Sequence, residues 1–355
     1  MPEATALARA VEGVADARTL WARLGAIGVP GDLTGPSPDP GRLDELLSEL
    51  DRATSLSLAL SATVQVALAV PLLRTVATGT LAAAASAQSL AGRAVVALAA
   101  TEAGLSGSAL LDAATEVHGP RGALRLTGGK EWITNATHCD YLLVLARYRP
   151  ERHFTSFRWV LLPAGTPGVS VVPAAKDRFA GAGVGHVRFD AVALTGEHLV
   201  GRPGRALAEF SRQLTTERLA SALWARTLCR RVLAGAREYL MGRSAGAATL
   251  WDNAAVRDRF ARCLLSLAHL DALCATVLPA GATTAAAMVL KATSGATVDR
   301  VLDECVRLRG AEAFRDGGLA DLRDEAAMFG VAGGATGALL AGIADWAEDL
   351  LRAPR

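Results

Sequence analysis

The pattern of apolar residues changes twice along this chain. At the N-terminal end, apolar side chains recur every three or four residues within 4–27, 43–50, 51–73 and 81–90, as in amphipathic helices. A loop rich in Gly and Pro at 28–41 separates the first of these segments from the rest. The N-terminal part is therefore predicted to be entirely α-helical.

From Ala94 onward, short apolar and β-branched segments separated by turn residues replace the helical spacing. They predict a β-domain of about seven strands with hairpin-type connections. The segments lie at 94–100, 122–126, 130–134, 141–147, 158–163, 168–172, 185–189 and 192–194.

Helical spacing returns at Ala206 and continues to the C-terminus, with an interruption at Gly330–Gly337. Long helical segments of this kind predict a four-helix bundle. They lie at 206–242, 250–278, 282–309 and 320–351. Because strands and helices do not alternate, Rossmann and TIM-barrel architectures are excluded.

The predicted fold class is therefore α+β, in three domains. We expect an all-α N-terminal domain at 1–93, a central β-domain at 94–203 and a C-terminal four-helix bundle at 204–355.

Charge and composition exclude several classes of partner. With 37 basic and 35 acidic residues and no basic stripe interleaved with aromatics, we expect no nucleic-acid partner. The apolar run 56–73 contains Ser57 and Pro71, which favours a buried helix over a membrane span. The five cysteines form no CxxC pair, and no signal peptide is evident, so we expect free thiols, no metal site and a cytoplasmic location.

The segment Leu126-Thr-Gly-Gly-Lys-Glu-Trp-Ile-Thr-Asn-Ala136 combines a glycine pair with an aromatic run. Gly128 and Gly129 predict a tight turn between two strands. Trp132 and the hydroxyl of Thr134 suit a flat ring system with polar edges. The pattern alone favours an ordinary hairpin with a tryptophan in the core, because such hairpins are common.

Three other motifs are candidates for chemistry. The polar loop Thr101–Ser108 follows a buried strand, where small-molecule sites often lie. The Gly330–Gly337 loop leads into a helix, whose N-terminus could receive an anion, although a helix kink is an alternative. Glu217 precedes an apolar segment and could act as a general base, or it could be an exposed side chain paired within its helix.

Another glycine motif, Gly181–Gly185, is excluded as a dinucleotide site. It follows a polar segment, whereas such a site requires a preceding strand.

In this order, the motifs resemble those of the acyl-CoA dehydrogenase family over nearly the whole chain. Residues 129–136 are similar to the family's flavin-contacting segment, and 100–102 with 107–108 are similar to its other flavin and substrate loop. That loop departs from the family where Ala103 stands in place of the usual Pro, where the spacing is one residue longer, and where Ala109 replaces an acidic residue. Phe189-Asp-Ala-Val192 resembles the segment that closes the β-domain, and Arg323-Asp324 fits the final signature.

The resemblance is less close at the far end of the cofactor. Arg243-Ser-Ala-Gly246 resembles a signature whose Arg reaches the flavin pyrophosphate of a neighbouring subunit, but its Phe is missing. Asn253 stands next to the position where Gln is usual, and Arg307 replaces another Gln. Gly310-Ala-Glu-Ala-Phe314 replaces the family's Gly-Gly-x-Gly-Phe.

The resemblance implies FAD as the cofactor. The residues implied to bind it are Thr101, Trp132, Ile133, Thr134, Arg243, Asn253, Arg307, Gly310 and Thr336. The residues implied to border the substrate are Ser108, Arg218, Gly333 and Gly334.

The resemblance also suggests where the catalytic base lies. Many relatives carry a Glu in the loop after Arg-Asp, but the loop here, Val331–Thr336, contains no acid. Relatives of the isovaleryl-CoA type carry the base on the first bundle helix, in a segment similar to Thr215-Thr-Glu217-Arg218. Glu217 is therefore expected to be the base.

The implied function is α,β-dehydrogenation of an acyl thioester carried by CoA or an acyl-carrier protein. An electron-transfer flavoprotein or oxygen would reoxidise the flavin, and the protein would be a homodimer or homotetramer. Three alternatives stay open: a flavin monooxygenase of the same fold, a flavin-free binding or structural homologue, and oxidation at another bond of a carrier-bound acyl group in specialised metabolism.

Overall fold

The computed structural model of the chain consists of two compact units, Met1–Glu217 and Arg218–Arg355. The residues it describes are 2–35, 39–105, 109–120, 122–174, 178–280 and 283–352. Helices, then strands, then helices follow one another along the chain, which confirms the predicted α+β class. The boundary between the units falls inside one long helix, and the two boundaries between the three predicted domains stay a prediction.

Helices make up the N-terminal part of the first unit, as predicted. They are α1 (Pro2–Val11), α2 (Ala17–Ala26), α3 (Val29–Leu33), α4 (Pro40–Ala53), α5 (Leu56–Val64), α6 (Val70–Val76) and α7 (Gly79–Leu90). The pattern in 4–27 forms two helices because Gly13 adopts φ 65° and Asp16 caps α2 by accepting from the Thr19 amide at 2.8 Å. Leu20, Leu24 and neighbouring leucines form their core.

A π-helical turn at Gln65–Ala69 joins α5 to α6. The Gln65 side chain donates to the carbonyl of Val96 at 2.5 Å and accepts from its amide at 3.1 Å, so the turn links this helix to the sheet. By length and composition alone, Leu56–Val76 and Ala254–Val277 could each cross a membrane. The first is 83% buried within the protein, as expected of a core helix, and the second is 33% buried.

The strands form a mixed sheet in the order β6-β7-β3-β2-β4-β5-β8, with β1 also paired to β4. They are β1 (Val96–Ala99), β2 (Glu116–His118), β3 (Arg125–Ile133), β4 (Tyr141–Arg147), β5 (Phe157–Pro163), β6 (Val169–Pro173), β7 (Gly185–Ala193) and β8 (Leu199–Val200). β1 and β2 run parallel to β4, so the prediction of hairpin-type connections throughout is wrong.

The predicted turn at Gly128 and Gly129 is also wrong, because β3 runs through both glycines without a break. A Cβ on Gly128 would lie 2.5 Å from the Cα of Thr115, and the residue has a φ of 140°. Glycine at position 128 therefore allows β3 to pass close to the segment before β2.

The C-terminal helices begin with α8 (Ala206–Gly242), which crosses the boundary between the units. A short hairpin of β9 (Ser244–Ala245) and β10 (Ala248–Thr249) follows. The helices after it are α9 (Ala254–Ala280), α10 (Thr284–Arg309), α11 (Leu319–Ala326), α12 (Thr336–Asp345) and α13 (Ala347–Leu351). Within the second unit, α10 packs against α9, α11 and α12. Trp224 of α8 packs edge-on against Phe329, with the ring centroids 4.9 Å apart.

Candidate functional site

Trp132 stands on the surface of the sheet in a strained conformation. A β-bulge between Lys130 and Ile133 shifts the register of β3 against β7. Trp132 within it has a φ of 56° and is 59% exposed, whereas Ile133 is buried. The alternative of a tryptophan in a hairpin core is therefore wrong, and the strain is of the kind that marks functional sites.

His186 on β7 supports the exposed indole. The two rings meet edge to face, with centroids 5.2 Å apart and planes at 80°. This contact orients the Trp132 ring, while the residue stays largely exposed to solvent. An exposed, oriented aromatic plane is what a planar ligand ring requires, so this region fits the flavin that the resemblance implies.

Thr101 is fixed to β3 by main-chain hydrogen bonds. The amide of Glu131 donates to the carbonyl of Thr101 at 3.1 Å, and the amide of Ala103 donates to the carbonyl of Gly129 at 3.1 Å. Thr101 is half-buried and lies across the strand from the residue that precedes Trp132. The structure thus brings together two of the residues predicted to bind the cofactor.

A buried ion pair lies beneath this crossing, and the sequence analysis missed it. The Nζ of Lys130 lies 2.6 Å from Oε2 of Glu102, and the two side chains are 0% and 3% exposed. Burial lowers the pKa of Lys130, and the Glu102 carboxylate opposes this shift. The other Glu102 oxygen accepts from the amide and hydroxyl of Thr115, each at 2.8 Å.

A signal for this pair was present in the sequence. Alternation along β3 places Lys130 on the same side as Leu126, and both are buried. A lysine at an inward-facing strand position needs a buried partner of opposite charge. The identity of that partner depends on tertiary register, 28 residues away in the chain.

Thr134 begins a turn held by buried polar contacts. Asn135 has a φ of 68°, and its Oδ1 accepts from Ser61 at 2.5 Å and from Nε2 of His138 at 2.9 Å. The amide of Asn135 donates to the carbonyl of Ala182 at 2.8 Å. These contacts fix the main chain on the C-terminal side of Trp132.

Ser108, predicted to border the substrate, lies outside the described residues. The chain after it is held by Arg147 of β4, whose guanidinium donates to the carbonyls of Leu111 at 3.0 Å and Ala113 at 2.7 Å. This arginine therefore orders the segment that returns from the predicted substrate loop to β2.

Helix α8 carries Glu217 and Arg218 in succession, both half-buried. In the second unit, Nε of Arg218 donates to the carbonyl of Gly333 at 3.2 Å. A Cβ on Gly334 would lie 3.5 Å from Nη2 of the same arginine. Arg218, Gly333 and Gly334, all predicted to border the substrate, thus meet in one place.

The glycine loop depends on its glycines and on Thr336. Gly333 and Gly334 have φ values of 71° and 119°, which other residues rarely adopt. Thr336 begins α12, and its hydroxyl donates to the carbonyl of Gly330 at 3.2 Å. Gly295 of α10 lets this loop approach closely, because a Cβ there would lie 3.0 Å from the Phe329 carbonyl.

The other residues predicted to bind the cofactor lie at exposed helix ends of the second unit. Arg243 follows α8, Asn253 caps α9 by accepting from the Ala255 amide at 2.9 Å, and Gly310 ends α10 with a φ of 59°. Arg307 is 63% exposed and lies 3.5 Å from Glu304. It borders a cavity of about 300 Å³ lined by Arg259, Arg262, Cys263, Arg300, Asp303, Glu304 and Arg307.

Most of the chain matches known protein families. Residues 97–192 match the middle domain of acyl-CoA dehydrogenases, and residues 207–347 match their C-terminal domain. The chain is 28% identical over 284 residues to the acyl-[acyl-carrier-protein] dehydrogenase MbtN of Mycobacterium sp. (strain MCS), covering 79% of this chain and 72% of that protein.

Solved structures share the fold at low sequence identity. The prolyl acyl carrier protein oxidase AnaB superposes with a TM-score of 0.87 at 17% identity, covering 97% of each chain. The FAD complex of PigA superposes with a TM-score of 0.85 at 18% identity, covering 98% of this chain and 93% of PigA.

Proposed function

This chain belongs to the acyl-CoA dehydrogenase family, and on that premise we propose that it catalyses the FAD-dependent α,β-dehydrogenation of an acyl thioester. The observation that carries the proposal is Trp132, an exposed indole held in a strained conformation at the sheet surface. MbtN, by its name, acts on acyl-carrier-protein thioesters, and the structure of PigA contains FAD. Both agree with this assignment.

The proposed division of roles follows the chemistry of the substrate. Bound FAD would supply the acceptor for the hydride that leaves the β-carbon. Glu217 removes the proton from the α-carbon, and the electron pair left there forms the new double bond. The α C–H becomes acidic enough only when donors polarise the thioester oxygen, a role we assign to an amide of Gly333 or Gly334.

Other residues bind and orient. Trp132, with Ile133, Thr134 and Thr101 beside it, would hold the flavin ring; because the Ile133 side chain is buried, its contact would come from the main chain. Arg218 holds the glycine loop at Gly333 and would thereby set the direction of the loop amides. The residues assigned to the rest of FAD are Arg243, Asn253, Arg307, Gly310 and Thr336.

Replacing Glu217 by Gln tests the assignment of the base. We expect the E217Q protein to retain FAD but to be bleached by acyl thioester under anaerobic conditions about 10²–10⁴-fold more slowly. Glu209 lies on the same helix and accepts from the Trp159 indole at 3.1 Å, so E209Q is a matched control that should bleach normally. Wild-type bleaching by E217Q would refute the role of Glu217.

The carrier of the acyl group and the acceptor that reoxidises the flavin can each be tested directly. We propose a carrier-protein thioester as the substrate, supported by the named activity of MbtN, and expect faster bleaching by carrier-protein thioesters than by CoA thioesters. Stopped-flow reoxidation by an electron-transfer flavoprotein and by oxygen identifies the acceptor.

We also propose a homo-oligomer. Leu264 and Leu265 on α9 are 46% and 60% exposed, which is the apolar surface that a subunit interface would cover. Light scattering of wild-type protein against a L264E/L265E variant measures the effect on assembly. A wild-type monomer would refute the proposal.

A further inference from the structure

The buried pair of Lys130 and Glu102 joins the two segments that carry Thr101 and Trp132. Glu102 directly follows Thr101, and Lys130 is two residues before Trp132 in β3. A single antiparallel bridge between Glu102 and Lys130 brings the segments together, flanked by the two main-chain hydrogen bonds described above. The side chains of the same two residues form the ion pair. This one contact therefore sets both the register of the loop on β3 and the distance between the two segments.

The polar contacts of this pair extend in both directions. Lys130 also donates to the carbonyl of Ala100 at 3.2 Å, next to Thr101. Thr115, which bonds Glu102, lies with its hydroxyl 3.2 Å from both the amide and the carbonyl of Gly129. The contacts therefore clamp the loop at residues 100–103 and the strand at 129–131 from the inside, while Trp132 faces outward.

A purely structural role would not need these charges. Two ions removed from water lose hydration energy that their attraction does not reliably recover, and apolar pairs of similar volume are often equally stable. A charged pair at one crossing does, however, exclude other registers of the loop, because a shifted register would leave a buried charge unpaired. The loop of Thr101 is thus restricted to a single arrangement on β3.

We infer that Lys130 and Glu102 are positioning residues that hold Thr101 in register beside Trp132 and thereby preorganise the surface that receives the flavin ring. The inference rests on the proposed function, since it assigns these residues to the binding of FAD. Neither side chain is accessible, so both act only through the residues they hold.

The double variant K130M/E102Q tests this inference, because it removes both charges while keeping similar volume and an acceptor for Thr115. In the deflavinated protein we expect amide hydrogen exchange at Ala103 and Glu131 to be at least about tenfold faster. We expect FAD titration to give a dissociation constant at least about tenfold higher, with weaker quenching of flavin fluorescence.

Thr115→Val provides a second variant that keeps the ion pair but removes the hydroxyl that contacts Glu102 and Gly129, and it should shift the same measurements less. It carries the test if the double variant does not fold. Thr34→Val is the control: it removes a buried hydroxyl that bonds Pro30 and Arg74 among the N-terminal helices, so it should lower stability without changing either measurement.

The outcomes separate this inference from the proposed function. Wild-type exchange rates or wild-type FAD affinity in K130M/E102Q, or in T115V if only that variant folds, would overturn the inference alone. A deflavinated wild-type protein that takes up no FAD would overturn the proposed function and, with it, this inference.

Discussion

Two regions implied to contact one cofactor are built in different ways. Around Trp132, the supporting contacts are buried: Lys130 and Glu102 are 0% and 3% exposed, and both are tied to main-chain groups. At the helix ends of the second unit, Arg307 is 63% exposed and pairs with carboxylates of its own helix. A buried pair is costly to break, whereas an exposed pair can be exchanged at little cost.

This difference agrees with where the chain matches its family and where it departs. Residues 129–136 are similar to the family's flavin-contacting segment, and they include the inward-facing Lys130. At the far end of the cofactor, the departures beside Arg243 and at Asn253 and Arg307 fall at exposed positions of the second unit, and the departure at Ala103 is exposed as well. Substitution there leaves no buried group without a partner, so the fold can accept it.

The largest expected effect breaks the buried region directly. Replacing Lys130 alone by Met leaves the Glu102 carboxylate buried without its counter-charge, so we expect a loss of about 3–5 kcal/mol in the free energy of unfolding. Replacing Arg307 by Gln should change it by less than about 0.5 kcal/mol. Urea denaturation measures both, and similar losses in the two variants would contradict the comparison.

Local patterns in the sequence predict the elements of this fold better than their pairing. The period of apolar residues places α8 at 206–242 and β4 at 141–147, and both have these bounds in the structure. The parallel pairing of β1 and β2 with β4 joins segments far apart in the chain, and no local period encodes it.

The candidate site shows the same limit. The resemblance assigns Trp132 and Thr134 to one flavin-contacting segment, but a bulge decides that the indole faces outward. The ion pair of Lys130 with Glu102 needs the register of a loop on a strand, which only the folded chain defines. What the sequence could not reveal here is therefore the set of contacts beneath the surface.

The next largest effect concerns the glycine loop. Gly334 has a φ of 119°, and a Cβ there would lie 3.1 Å from Leu339, so Gly334→Ala should cost about 1–3 kcal/mol of stability. It should also slow flavin bleaching by substrate, because the loop amides would be displaced. Gly337 lies in α12 with open space around it, so G337A is a matched control that should be neutral or stabilising by about 0.5–1 kcal/mol. Thermal unfolding with anaerobic reduction of each variant decides the outcome.

A smaller effect separates strain from binding at Trp132. Trp132→Gly relieves the left-handed conformation, so the apoprotein should be no less stable than wild type, while FAD affinity falls at least about tenfold, or 1.4 kcal/mol. Ala191 on β7 has a φ of 44° and is exposed, so A191G relieves similar strain and should leave FAD affinity unchanged. Unchanged FAD binding by W132G would remove Trp132 from the proposed site.

The smallest expected effect is a pH dependence at the turn beyond Trp132. Burial, with Arg18 as the next contribution, lowers the pKa of His138 from its ordinary value of 6.5, and Asp16 and Asp140 oppose this shift. The folded protein therefore favours the neutral ring and binds fewer protons than the unfolded chain below pH 6.5.

The stability that neutral His138 contributes is accordingly present above pH 6.5 and is lost as the pH falls through the lowered pKa. The Nε2 of His138 donates to Oδ1 of Asn135, so a second proton would have to sit on Nδ1. That nitrogen packs closely against Gly183, because a Cβ on Gly183 would lie only 2.2 Å from it. Little room is therefore left for water to solvate a proton on Nδ1. Melting temperatures between pH 7.5 and pH 5 should fall less steeply for H138Q than for wild type. H118Q, at an exposed position on β2, should follow the wild-type curve. A common slope for all three proteins would show that the turn beside Trp132 is insensitive to protonation of His138.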